Sequence, residues 1–264
     1  MKKIRWILLS GLLLALTACG TLDVASFWPD AAIKIDGRTD DWRGRLYAVE
    51  DTGVSFGVQN DDHFVYVCLL ATDRRAAAQI LRAGLIVWFD PKGGKDKILG
   101  VHYPLELDAN ELPGRGAGAQ DESARREQRQ ALVERRDEIE ILGPGRDETN
   151  RLKKDELKGI EAAFANADGM FAYELKVPLA AGPESPYAIG LSSGNLVGIG
   201  FDSPRPDVLQ GGRGAGGGMG GRGMGGRMGG RGMGGGMMGR GGGRGGAEQL
   251  KLWLKVTLAR SPSK

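Results

Sequence analysis

The chain has 264 residues, of which 26% are charged, and a formal net charge of +3. This length, less the insertions described below, leaves room for one domain of ordinary size, and no apolar run after residue 16 predicts a transmembrane segment. Lys2, Lys3 and Arg5 account for the net charge, and six arginines in the run 211–246 leave the rest of the chain at −6. The composition therefore predicts an acidic body with one basic segment.

The N-terminus has the pattern of a bacterial export signal. A basic start is followed by the apolar run 6–16, which is too short to span a bilayer and predicts a signal peptide over 1–18. The sequence LTACG at 16–20 resembles a lipobox, so we expect Cys19 to be lipidated, with residues 19–31 as a tether. An ordinary signal peptide with a chance cysteine is the alternative. Gly20 in place of Asp favours an outer-membrane lipoprotein facing the periplasm, with the inner membrane and the cell surface left open.

The first half of the domain predicts short strands and one helix. Cys68 lies in the apolar run FVYVCLLA, where we expect it to be a small buried residue. Residues 73–83 predict a short amphipathic helix or turn. The predicted strands are 32–37, 45–51, 54–60, 63–72, the first part of 84–97, and 98–107.

The second half contains a charged insertion and more strands. Residues 110–137 are charged nearly all round, with Asp121 and Arg125 at a favourable helical spacing, and predict a solvated helix or a disordered insertion. The alternative with a specific function is a basic helix that binds a partner. The later predicted strands are 138–144, the hairpin 159–179, 195–203 and 248–259. About ten short strands predict an all-β fold, an antiparallel β-sandwich of immunoglobulin-like or jelly-roll type, over 32–259 with a tail at 260–264.

The run 211–246 contains only Gly, Met, Arg and one Ala. Because a convincing strand follows it, we predict a disordered loop between the last two strands. Its methionines are soft ligands that suit copper, and the site would use Met219, Met224, Met228 and Met233. An electrostatic arm that contacts an anionic envelope partner and a tolerated flexible expansion are alternatives. An exported protein has little access to RNA, so we expect no nucleic-acid partner.

Several stretches in order resemble a known family. IKIDGRTDDW at 33–42, LIVWFDPKGGK at 85–95, FAYELKVPL at 171–179 and LKLWLKVTL at 250–258 resemble the family 9 carbohydrate-binding module and its superfamily, which includes DOMON-type haem and sugar domains. The resemblance implies a β-sandwich and a sugar stacked on aromatic rings. The residues offered for stacking are Trp253, Trp88 and Trp42. Trp253 lies opposite a leucine stripe and is the best exposed candidate, whereas Trp88 in an apolar strand and Trp42 in the opening motif also fit packing roles.

Cofactors are not firmly implied. Asp36, Asp40 and Asp41 offer oxygen ligands for calcium, or they cap turns. Haem would need a pair drawn from His63, His102 and Met170, and no pair is adjacent in the sequence. No credible catalytic motif is present: Ser192 in GLSSG precedes a strand-like run rather than the helix that such a motif needs.

We therefore predict a non-catalytic, lipid-anchored binding module of the cell envelope, with carbohydrate as its ligand. A structural or assembly lipoprotein whose basic loop meets an envelope partner is the alternative. A carrier of copper or haem is a further alternative.

Overall fold

A computed structural model describes residues 21–106, 136–145, 147–167, 170–191, 194–203 and 249–262. The predicted signal peptide, Cys19 and the run 211–246 lie outside these ranges, as does nearly all of the predicted insertion 110–137. Among the described residues no helix is both long and apolar enough to cross a membrane.

The described residues form two facing β-sheets, which confirms the predicted sandwich. The first sheet has seven strands in the order β1-β12-β11-β5-β6-β7-β8, and the second has five in the order β2-β3-β4-β10-β9. Every neighbouring pair is antiparallel except β1 and β12, which are parallel. The strands are β1 Thr21–Ala25, β2 Tyr47–Val49, β3 Val54–Asn60, β4 Phe64–Ala71, β5 Ile86–Asp90, β6 Leu99–His102, β7 Glu138–Leu142, β8 Thr149–Lys153, β9 Glu161–Ala167, β10 Met170–Pro178, β11 Leu196–Asp202 and β12 Lys251–Thr257.

Alternation along the strands builds the core between the sheets. In β10, Phe171, Tyr173 and Leu175 are fully buried in the main hydrophobic cluster, while Glu174 and Lys176 lie on the outer face. The leucine stripe of β12 also faces the core, with Leu254 fully buried. Successive strand residues point to opposite faces, so each sheet keeps one outer face for other contacts.

The single α-helix of the described residues, α1 (Arg74–Ala83), lies where a short helix or turn was predicted at 73–83, and a 3-10 turn spans Asp40–Trp42. Asp73 caps it by accepting hydrogen bonds from the backbone N–H groups of Arg75 and Ala76, and Gly84 ends it with φ of 79°. Ala77, Ile80 and Ala83 are buried, so the helix packs one face on the domain.

Two local predictions were wrong, and one strand was not predicted. Residues 32–37 form no strand, because the backbone N–H groups of 36–38 bond to a side chain of the five-stranded sheet instead of to another strand. Residues 21–25, predicted as tether, form β1 beside β12. Strand β8 was missed, since its sequence TNRLK is polar and only Leu152 packs against the core.

Both long insertions leave from one end of the seven-stranded sheet. His102 at the end of β6 pairs in register with Glu140 of β7, and Asp202 at the end of β11 pairs with Lys251 of β12. The register from Asp202 through Ile86 to His102 places these two exits at the same height across the sheet.

Candidate functional site

A row of tryptophan and glycine residues crosses the outer face of the seven-stranded sheet. Trp253 of β12 lies opposite Gly200 of β11, which lies opposite Trp88 of β5, which lies opposite Gly100 of β6. We call these four residues the tryptophan row. The two tryptophan Cα atoms are about 10 Å apart, because neighbouring strands are spaced by about 4.8 Å.

Each indole packs on a glycine of the next strand. A Cβ atom added at Gly200 would lie 2.7 Å from Cε2 of Trp253, and one added at Gly100 would lie 2.7 Å from Cζ3 of Trp88. These distances are too short for any side chain, so the glycines are what allow both rings to lie against the sheet.

The three predicted stacking residues differ in accessibility. Trp253 lies on the face predicted for it but is only 8% exposed, so the expectation of an exposed ring was wrong. Trp88 is half-buried on the outer face, while its neighbours Val87 and Phe89 fill the core. Trp42 is fully buried in a separate cluster with Tyr66 and Cys68 on the other sheet. Trp88 is therefore the ring with surface open to a ligand.

A loop held by hydrogen bonds to Asp90 brings a lysine over Trp88. The carboxylate of Asp90 accepts hydrogen bonds from the backbone N–H groups of Lys92 and Asp96, both at 2.9 Å, which fixes the turn after β5. Nζ of Lys97 then lies 4.9 Å from the centroid of the Trp88 ring, a cation–π distance.

Asp202 anchors that lysine. Its Oδ2 lies 2.9 Å from Nζ of Lys97, and its Oδ1 accepts a hydrogen bond of 3.1 Å from the amide of Gln249. The indole N–H of Trp88 is buried and has no hydrogen-bond partner among the described residues. The site therefore combines a partly open aromatic ring, an ion pair and an unpaired donor.

A histidine–carboxylate pair borders the same face. His102 is 3% exposed, and its Nδ1 lies 2.9 Å from Oε2 of Glu140. This hydrogen bond lowers the pKa of Glu140 against the opposing effect of burial. An ionised Glu140 is an acceptor only, so Nδ1 carries the proton. Nε2 of His102 lies 3.5 Å from Oε2 of Glu106.

The opposite sheet carries a buried carboxylate that the sequence analysis did not single out. Glu174 is 0% exposed, and its Oε2 accepts hydrogen bonds from the backbone N–H groups of Asp36, Gly37 and Arg38 at 3.0, 2.7 and 3.2 Å. Its Oε1 accepts a 2.8 Å bond from the indole N–H of Trp42. The opening motif is thus attached to β10 through one side chain, which explains the burial of Trp42.

Cys68 lies opposite Glu174 in register and is fully buried, as its apolar strand predicted. Burial raises the pKa of its thiol well above the usual value, and the nearby Glu174 carboxylate adds to the effect. Such a thiol is inert in the folded protein.

The carboxylates offered for calcium have other partners. Asp40 forms ion pairs with Arg38 and Arg43, and these hydrogen bonds lower the pKa of Asp40. Asp36 and Asp41 accept backbone hydrogen bonds from Arg38 and Lys34, respectively. Within the described ranges no three His, Cys, Asp or Glu side chains gather to hold a metal ion. The copper candidates Met219, Met224, Met228 and Met233 lie outside those ranges.

The structure separates two of the haem candidates. Met170 starts β10, whereas His63 lies at the other end of that strand, where its carbonyl accepts a hydrogen bond from Leu179. Nine residues of strand place them roughly 26 Å apart. These two side chains cannot bind one iron together.

A charged cleft of about 560 Å³ lies at the start of β7 and the end of β8. Its described lining residues are Asp137, Glu138, Lys153, Lys154 and Asp155. Burial lowers the pKa of Lys154, whose Nζ lies 5.0 Å from the Tyr103 ring. Trp42, Trp88 and Trp253 are not among these residues.

No protein-family model matches the chain, and no curated protein matches it. Among solved structures, the chain is similar to a family 9 carbohydrate-binding module from Caldicellulosiruptor kristjanssonii in complex with glucose, at 14% identity and a TM-score of 0.32 over 68% of this chain and 75% of that one. It is also similar to a family 9 module of that organism in complex with cellotriose, at 13% identity and a TM-score of 0.33 over 69% and 75%. Both belong to the family that the sequence motifs resemble.

Proposed function

We propose that the protein is a non-catalytic glycan-binding module of the bacterial cell envelope, anchored by a lipid on Cys19. Its binding surface is the outer face of the seven-stranded sheet. The observation that carries the proposal is the tryptophan row, in which the half-buried Trp88 lies beside the Lys97–Asp202 ion pair.

The chemistry of this face suits a sugar. A pyranose ring presents C–H groups on one side, which pack on an aromatic face, and hydroxyls around its edge, which both donate and accept hydrogen bonds. Trp88 supplies the aromatic surface, and Asp202 and Lys97 supply an acceptor and a donor beside it.

Trp253 contributes as support. At 8% exposed it offers little stacking surface. Its ring covers Gly200, the residue that lies between Trp253 and Trp88 on the sheet. The resemblance of the sequence motifs to carbohydrate-binding modules supports the same class of ligand.

The test is binding of the detergent-solubilised full-length chain to a saccharide array, compared with Trp88→Ala and Trp42→Phe. We expect wild type and Trp42→Phe to bind the same saccharides and Trp88→Ala to lose that binding with its fold retained by circular dichroism. Equal binding by Trp88→Ala would remove this site, and no binding by wild type would remove glycan recognition.

The lipid anchor has its own test. Cells grown with radiolabelled palmitate are expected to label the wild-type protein and not Cys19→Ser, and membrane fractionation would then assign the bilayer. Unlabelled wild type would favour the ordinary signal peptide.

A further inference from the structure

Three lysines lie around the tryptophan row. Lys251 and Lys255 lie two residues before and two residues after Trp253 on β12, and side chains at this spacing share a face. Both are exposed. Lys97 reaches the same face from the loop after β5 and lies over Trp88.

The nearby carboxylates are only partly paired with these lysines. Asp202 lies opposite Lys251 in register, but its hydrogen bonds go to Lys97 and Gln249. Asp23 of β1 lies opposite Lys255 in register, yet among the described residues no carboxylate forms an ion pair with Lys251 or Lys255. The carboxylate of Asp90 is turned into its own loop, where it accepts two backbone hydrogen bonds.

This local charge contrasts with the rest of the body. Outside the leader residues Lys2, Lys3 and Arg5 and the run 211–246, the chain carries a net charge of −6. The half of the same face formed by β6 and β7 follows that trend, with Glu138 and Glu140 pointing outward. Lys153 and Arg151 of β8 lie opposite these two glutamates, whereas among the described residues Lys251 and Lys255 form no ion pair. An anionic ligand would therefore be oriented with its charge towards β12.

Hydrogen-bonding capacity at the row is skewed in the same direction. The donors at its surface are the ammonium groups of the three lysines, since the unpaired indole N–H of Trp88 is buried. Asp202, the carboxylate that bonds to Lys97, already accepts two hydrogen bonds. A ligand rich in acceptors fits this surface better than one that offers only hydroxyls, because charge-assisted hydrogen bonds are the stronger ones.

We propose that the tryptophan row binds an anionic sugar, one that carries a carboxylate, phosphate or sulfate group, with Lys97, Lys251 and Lys255 as the residues that select for the charge. This inference rests on the proposed function. The sugar ring packs on Trp88, and its anionic group lies on the β12 side of that ring, beside the lysines that flank the row.

The experiment uses the full-length chain in detergent and pairs of saccharides that differ only in charge. The probes are trigalacturonate, a sulfated trisaccharide and a phosphorylated trisaccharide, each beside its neutral parent. We expect at least one acidic member to bind about tenfold more tightly than its parent, and the binding to weaken several-fold when NaCl rises from 50 to 300 mM, because salt screens exposed charges. The acidic member that binds identifies the anionic group.

Lys97→Met, Lys251→Met and Lys255→Met are compared with Lys34→Met, an exposed lysine on the loop over the opposite sheet. Lys97→Met should lose about tenfold in affinity for the acidic probe, the equivalent of one charge-assisted hydrogen bond, and Lys34→Met should not change it. These are surface substitutions, so melting temperatures should stay close to wild type.

The outcomes separate the two proposals. Equal, salt-insensitive binding of neutral and acidic probes that still requires Trp88 would overturn the anionic selectivity and leave glycan binding in place. The same conclusion follows if the three lysine variants bind like Lys34→Met. Absence of binding to any saccharide, or binding unchanged in Trp88→Ala, would overturn the proposed function and this inference together.

Discussion

Glu174 determines how the opening motif folds. A carboxylate removed from water is costly unless hydrogen bonds replace its hydration. Four N–H donors do so here, three from the backbone of 36–38 and one from Trp42. Burial nevertheless dominates and raises the pKa of Glu174, while those hydrogen bonds act in the opposite direction. One charged residue in β10 thereby positions a segment more than a hundred residues earlier in the chain.

Substitution of Glu174 by Gln is expected to lower the free energy of unfolding by about 1–3 kcal/mol. The amide must direct its NH₂ group at either Trp42 or the three backbone donors, so buried N–H groups lose their acceptor. Because the pKa of Glu174 is raised in the folded state, its contribution to stability is present at low pH and is lost as the pH rises through that pKa. The gap between wild type and Glu174→Gln should therefore widen on acidification.

Urea unfolding at a series of pH values measures this gap. Glu184→Gln, at a side chain that is 83% exposed, is the matched control and should follow wild type throughout. A gap that narrows on acidification would show that the hydrogen bonds to the ionised form outweigh burial.

At the scale of single elements, one aspartate fixes the start of α1 and another fixes the loop after β5. Asp73 caps the helix, and Asp90 closes the turn that carries Lys97. Both residues are Asp at or just beyond the end of an apolar strand, and both accept two backbone hydrogen bonds. The two loops are built by the same local chemistry, although only the second leads to the proposed site.

Asp73→Ala is expected to cost about 1 kcal/mol, since it removes the acceptor for the N–H groups of Arg75 and Ala76. Asp73→Asn should retain most of the stability, because its amide oxygen is also a good cap. Thermal unfolding would measure both, with a fall of a few degrees in Tm for the alanine variant. Equal Tm values for Asp73→Ala and wild type would mean that the packing of Ile80, and not the cap, stabilises the helix.

At the scale of the whole molecule, β11 and β12 are paired up to the point where the chain leaves the sheet and re-enters it. Asp202 pairs with Lys251, and the backbone N–H of Ser203 bonds to the carbonyl of Leu250 at 3.0 Å. The chain thus returns to the sheet beside the point where it leaves. Loop-closure entropy grows only slowly with length, so the sheet tolerates a long connection there.

Replacement of residues 205–247 by a four-residue Gly/Asn turn is expected to leave the fold intact and to raise the free energy of unfolding by about 1–2 kcal/mol, from the shorter loop. Chemical denaturation measures the change, and the saccharide array tests whether binding survives. A loss of stability would show that the segment packs on the domain. A loss of glycan or partner binding at unchanged stability would favour the assembly lipoprotein whose basic loop is the contact.

The fold class was predictable because alternation and turn signals are local. VSFGVQN and the stretch 159–179 alternate strongly enough to predict β3 and the β9–β10 hairpin, whereas β8 is a polar edge strand with little pattern. The loop at 32–37 was mispredicted because its apolar alternation matches a strand. Its backbone donors are instead taken by Glu174, a residue far away in the chain.

The arrangement of the candidate site was less predictable from local sequence patterns than the fold class was. The sequence alone determined which residues carry the chemistry: tryptophans in two strands, an Asp-Pro-Lys loop after β5 and glycines at the matching positions. Only the tertiary structure decided that Gly200 lies between Trp88 and Trp253, and that Lys97 reaches Asp202. The physical reason is that strand alternation is set within a few residues, whereas cross-strand register brings together positions over a hundred residues apart and is set by the packing of the whole sheet.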